Sequence, residues 1–253
     1  MVHLNELHEK LEAKGLTILG VSSEPRSAVE GFVESTQATY PFLIEPGETR
    51  RAYNVTSIPS AVLIGPDSRI LWTGHPANLS EASLEEHLAG VRLLPALDGP
   101  LAAVGKALLK DQFASARSKA EKLTTHKDAD VVAAAEATIA WIDWFATSTL
   151  AGATKDAEAG HLYEAWLGYD LVATACKGLD AGTEADARAD ELLADKERKR
   201  AIEAGQKYAR LLEDIADLSP KKAVRKLEPF VKKYEGTPHG QRAAERLAAL
   251  EAE

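Results

Sequence analysis

The chain has 253 residues, enough for two domains of ordinary size, and its 45% hydrophobic and 27% charged residues are the balance of a globular protein with a core to bury. A net charge of −9 argues against nucleic-acid binding, which needs a basic surface to displace counterions, so no nucleic-acid partner is expected. One cysteine, Cys176, excludes an intramolecular disulfide framework and a cysteine-based zinc site. Residues Met1 to Glu6 lack the basic and apolar regions of a signal peptide. No run of about 18 apolar residues occurs, so no membrane span is expected. With Met1 as the true start, the chain is expected in the cytoplasm.

Leu4, Leu7 and Leu11 recur at helical spacing, predicting an amphipathic helix that stops at Gly15 after Lys14. Leu16 to Ser22 is an apolar run of strand length, suited to a buried parallel strand. Ser23, Glu24 and Pro25 start a second helix with Val29, Phe32 and Val33 on one face. Phe42 to Glu45 is a short strand and Glu48 to Tyr53 a short helix. Ser60 to Ile64 and Arg69 to Thr73 read as a β-hairpin whose turn, Gly65 to Ser68, carries Pro66 and Asp67. A further helix opens at Leu79 and runs to about Leu94, N-capped by Ser80 or alternatively Ser83. Strands alternating with helices, then a hairpin, predict an α/β domain over residues 1–94. Leu94 to Pro100, with two prolines and a glycine, is the expected linker.

Beyond Pro100 the chain is Ala-rich and helical in period, and residues 101–253 are expected to form an all-α domain. Helices are predicted near 101–111, 112–125, 128–149, 154–177, 184–213, 219–235 and 238–252. The fold class is therefore α/β plus all-α. A degenerate internal repeat joins helices that carry a small residue in their first turns (Asp111 to Ala116, Gly160 to Ala165, Ser219 to Ala223) to second, Ala-rich helices. This region resembles degenerate tetratricopeptide-like helical hairpins. Charge is uneven: roughly −5 over residues 1–94, −8 over 95–195 and +4 over 196–253. The basic stretch Lys196 to Arg200 and the pair Lys221 and Lys222 read as solvated helix faces, with docking of an acidic partner as the alternative.

Few other constellations carry chemistry. His3, His8, His75, His87, His126, His161 and His239 show no metal-ligand spacing, so no metal is expected. Nucleotide-binding glycine motifs and a nucleophile elbow are absent, and no cofactor is expected. Trp141, Ile142, Trp144 and Phe145, then Leu162, Trp166 and Tyr169, form aromatic stripes at helical spacing. They read as core between adjacent helices, or as a peptide-binding groove on a concave face.

Residues 3–88 resemble the TlpA-type thioredoxin-like disulfide reductases and the related redoxin family. The resemblance rests on the order and spacing of His3 to His8, Gly15 to Ser22, Tyr40 to Phe42, Tyr53 to Val55, Ile58 to Ser60, Leu63 to Asp67 and Trp72 to Pro76. It covers about a third of the chain. The resemblance implies that the segment from Pro25 to about Thr49 is the extra helix and strand common in this branch. It implies that Ile58–Pro59 is the family's cis-proline loop. Ser57, Ile58 and Pro59 are then the residues that bind a substrate chain, and the partners are protein or peptide segments. His75, after the last strand, is expected to shape its loop.

The departure from the family is chemical. There a strand leads into W-C-x-x-C, and Val2 to Leu7 match the helix portion that follows, so the cysteine pair and its strand would fall just before Met1. Disulfide exchange needs an attacking thiolate and a resolving thiol, and residues 1–94 supply neither. Cys176, in an apolar helical run, reads as a small buried thiol. No catalytic residue is assigned, and no dithiol chemistry is expected of this chain. Either the sequence is a shortened version of an intact protein-disulfide reductase, placed by resemblance in the cell envelope or periplasm, or it is a redox-dead relative that serves as a non-catalytic interaction module. A shortened chain is expected to leave a strand-wide gap between Leu16–Ser22 and Ser60–Ile64, because a lost interior strand leaves two rows of unpaired backbone groups.

Overall fold

The structure, a computed structural model, describes residues 2–251 apart from residues 54, 56, 67, 68 and 217. The chain divides into two units, Met1–Leu93 and Leu94–Glu253.

In the first unit, helix α1 (Val2–Leu11) runs into a 3-10 turn, Glu12–Lys14. Gly15 ends it with φ 108°, a backbone conformation that suits glycine, and a side chain there would also press on Leu93. Next come β1 (Gly20–Ser22), α2 (Arg26–Thr36), β2 (Phe42–Ile44), α3 (Glu48–Ala52), β3 (Ala61–Ile64), β4 (Ile70–Gly74) and α4 (Glu81–Leu88). Pro25 precedes α2 as its N-cap. Ser80 caps α4, its hydroxyl accepting the Ser83 amide at 3.1 Å. Helix α4 is shorter than its sequence suggests, because the chain turns at Ala89 and Gly90 and glycine favours leaving the helix there.

Strand β1 pairs parallel with β2, Val21 opposite Leu43, and β3 pairs antiparallel with β4, Leu63 opposite Trp72. These are two separate two-stranded sheets, and among the described residues no ladder joins β1 to β3. The strand expected from residue 16 is limited to three residues, the length over which β2 supplies a partner. Asp67 and Ser68 of the expected hairpin turn lie outside the described residues. Leu7, Leu11, Leu16 and Leu84 form the core, and Ile18 and Leu63 pack against it, one from each sheet's side. Lys10 pairs with Glu81 at 2.7 Å and Lys14 with Glu85, tying α1 to α4 along their exposed sides.

The second unit is helical: α5 (Ala102–Leu108), α6 (Phe113–Glu121), α7 (Ala129–Glu158), α8 (Leu162–Ala175), α9 (Asp180–Ala194), α10 (Lys196–Ile215), α11 (Pro220–Lys233) and α12 (Pro238–Glu251). Helices consecutive in sequence pack as neighbours along this series. Two breaks differ from the sequence expectation. Helix α7 continues to Glu158 and the next helix starts only at Leu162, because Gly160 takes φ 80° and ends the turn. The run expected as one helix over 184–213 is two, divided at Asp195, whose extended backbone and carboxylate, accepting the Arg198 amide at 2.8 Å, make it the N-cap of α10.

One core, running from Leu101 to Ile202, is built on small residues such as Ala116, Ala165 and Ala185 that let the helices approach closely. Leu97, in the expected linker, packs against it. A second core gathers Ile215, Leu227, Phe230 and Tyr234 with Ala204, Ala223 and Ala243. No helix among the described residues is long and apolar enough to cross a membrane.

Candidate functional site

The segment singled out by resemblance lies between α3 and β3. The end of α3 is closed twice: the Val55 amide donates to the Arg50 carbonyl at 2.9 Å, and the Arg50 Nε donates to the Val55 carbonyl at 3.1 Å. Ser57, Ile58 and Pro59 then form a bend that delivers the chain into β3, and the Ile58–Pro59 peptide bond is cis. All three side chains are exposed, Ile58 at 79%. An isoleucine this open leaves most of its apolar area in water, where burial would be worth about 1.5–3 kcal/mol. The tethered α3 end and the β3–β4 ladder thus hold an exposed apolar tip between fixed ends.

His75 shapes the turn that follows β4. Its Nδ1 accepts the Ala77 amide at 3.1 Å, capping the 3-10 turn Pro76–Asn78. His3 Nε2 lies 2.6 Å from the Leu79 carbonyl, fixing the start of α1 to the segment before α4. His8 is buried, its ring set edge-on to Tyr40 and its Nε2 3.7 Å from Glu12.

The chain's thiol belongs to the helical unit. Cys176 is fully buried where α8 ends, with its amide donating to the Val172 carbonyl at 2.9 Å. Burial, and secondarily the negative charge of Asp143, push its pKa up to about 11. A thiol in that state is the opposite of a reactive one, which sits in an electropositive, partly open setting with a lowered pKa.

The aromatic stripes are largely core. Ile142 and Tyr169 are buried, and Trp141, Phe145, Leu162 and Trp166 pack against the same cluster. Phe113, which sequence reasoning had not placed with them, meets Phe145 edge-on at 5.0 Å between ring centres. Sequence spacing also did not foresee a polar cluster where α8 meets α12. There Glu164 accepts from Arg242 at 3.3 Å and lies 3.8 Å from His239 Nε2. Burial, reinforced by Arg242 and opposed by Glu164, holds the His239 pKa below its ordinary value. The clue was the distance-blind one: three polar residues near the starts of helices whose turns carry Gly160 and Gly236.

Among the described residues no group of three or more His, Cys, Asp or Glu side chains is placed to hold a metal ion. The AhpC/TSA family model matches residues 1–73, so this stretch is a redoxin, thioredoxin-like domain. No curated protein matches the chain. No solved structure matches it.

Proposed function

We propose that this chain is a thioredoxin-like protein of the disulfide-reductase lineage that binds an extended polypeptide at Ser57, Ile58 and Pro59 and, by itself, exchanges no disulfide. The observation that carries this reading is Ile58, 79% exposed on a loop tethered at both ends. Such an apolar tip gains about 1.5–3 kcal/mol on burial against a partner, enough for roughly a tenfold or greater effect on affinity. The absence of exchange is supported by Cys176, the chain's one cysteine, which is buried and held protonated.

Residues 1–94 act in this reading as the polypeptide-binding domain, of the TlpA type. Support for that branch comes from the order of α2 and β2 between β1 and α3. Residues 101–253 act as a scaffold of tetratricopeptide-like hairpins that recruits or positions the bound protein. Its support is the packing of consecutive helices and the buried Ala116, Ala165, Ala185, Ala223 and Ala243 at their contacts.

The test is fluorescence anisotropy with labelled, carboxymethylated lactalbumin, an unfolded polypeptide without free thiols. Binding is expected to the wild-type chain and to Cys176→Ser alike, and to weaken at least tenfold in Ile58→Asp. Absence of binding, or equal binding by Ile58→Asp, overturns the reading.

A further inference from the structure

Two helices of the second unit carry stripes of opposite charge at the same spacing. Helix α9 buries Gly182, Ala185, Ala189 and Leu192 and turns Asp180, Glu184, Ala187 and Glu191 to solvent. Those four positions recur at i, i+4, i+7 and i+11, which aligns them along one side of a helix. Helix α11 buries Ala223, Leu227 and Phe230 and turns Lys221, Arg225, Glu228 and Lys232 to solvent at the same four steps. Each stripe is about 16 Å long, given a rise of about 1.5 Å per residue. One is acidic at i, i+4 and i+11, and the other is basic at those steps.

Neither stripe is neutralised by the other within one chain. Among the described residues, Asp180, Glu191, Lys221, Arg225 and Lys232 make no ion pair, and Glu184 pairs inside its own helix, with Arg188 at 2.8 Å. Helix α9 packs against α8 and α10, and α11 against α10 and α12. The basic stripe also works against its own helix. Lys221 and Arg225 repel each other at i, i+4, and Lys221 stands in the first turn, at the positive end of the helix dipole. Carboxylates laid along this stripe would relieve both effects.

We propose that the α11 stripe of one copy docks on the α9 stripe of a second copy, with the two helices parallel. Asp180 then faces Lys221, Glu184 faces Arg225 and Glu191 faces Lys232. The single acid of the basic stripe, Glu228, falls opposite Ala187, the single uncharged residue of the acidic one. An antiparallel arrangement would instead set Glu184 against Glu228. This match selects a second copy over an arbitrary acidic segment. A membrane or long polyanion is disfavoured because it would also face the rest of a chain whose net charge is −9. The contact is heterologous, since each copy offers one stripe to one neighbour and the other to the next, so the association propagates head to tail. Both stripes lie within Leu94–Glu253, and neither involves the Ser57–Pro59 loop.

The test is sedimentation velocity of the whole chain across protein concentration. Exposed ion pairs are individually weak and screened by salt. The sedimentation coefficient is therefore expected to rise with concentration at an ionic strength of about 0.01 M, where charges act over about 30 Å, and to fall to the monomer value at about 1 M, where they act over about 3 Å. A variant carrying Lys221→Glu, Arg225→Glu and Lys232→Glu should stay monomeric at low salt, as should one carrying Asp180→Lys, Glu184→Lys and Glu191→Lys. An equimolar mixture of the two should associate, because each supplies the charge that the other lacks. The single reversals Lys232→Glu and Glu191→Lys replace any triple variant that loses its helical circular-dichroism signal. A wild-type chain that stays monomeric at low salt overturns the proposal, including one that binds polyglutamate or phosphatidylserine vesicles instead. Association that survives high salt, or mixed variants that stay monomeric, also overturns it.

Discussion

Val21 stands directly beside Leu43 in the β1–β2 ladder, and both side chains are exposed. A parallel pair of this kind is stabilised by the helices on its inner face, so the outer apolar row contributes little to the fold as it stands. Val21→Thr is therefore expected to change stability by less than about 0.5 kcal/mol. Leu11→Ala, in the middle of the small core and fully buried, should cost about 2–5 kcal/mol. Urea unfolding followed by hydrogen exchange at α1 amides separates the two; similar costs would contradict the assignment of the core.

Two glycines in the helical unit should respond in opposite directions. A side chain at Gly205 in α10 would run into the ring of Tyr163, so Gly205→Ala is expected to cost about 1–3 kcal/mol. Gly152 in α7 has open space around it, and Gly152→Ala should stabilise by about 0.5–1 kcal/mol through helix propensity. Thermal denaturation monitored by circular dichroism gives both signs.

The buried His239 makes the helical unit sensitive to acid. Its folded pKa lies below the ordinary value of 6.5, so the unfolded chain takes up the proton first as pH falls. Its contribution is fully present above about pH 6.5 and is lost as pH falls through the folded value. His239→Gln should flatten the decline in stability below pH 6.5 relative to wild type. A parallel decline in both proteins would show that His239 is not its source.

Cys176 should resist alkylation in the native state. With its pKa pushed up to about 11, the thiolate fraction near neutral pH is expected to be on the order of a hundredfold below that of an unfolded cysteine. Iodoacetamide labelling at neutral pH, with and without denaturant, reads this directly. Rapid native labelling would place the thiol at the surface.

Much of the first unit was legible from local chemistry. Leucine spacing gave α1, Gly15 its end, Ser80 the cap of α4, and the turn residues between two apolar runs the β3–β4 hairpin. The break at Asp195 was not, because Lys196 to Arg200 continue a polar helical pattern that hides a cap acting through one hydrogen bond to Arg198. The cluster of Glu164, His239 and Arg242 was invisible for a different reason: it joins helices more than seventy residues apart, and no local period encodes that distance. The split between β1 and β3 could be anticipated only through the family resemblance, since each strand's own sequence reads as buried.

Dithiothreitol-driven insulin reduction tests the central claim most directly. The wild-type chain and Cys176→Ser are both predicted to leave the rate at the background of reductant alone. Turnover above that background, lost in Cys176→Ser or accompanied by a trapped mixed disulfide, would contradict a polypeptide-binding unit that exchanges no disulfide.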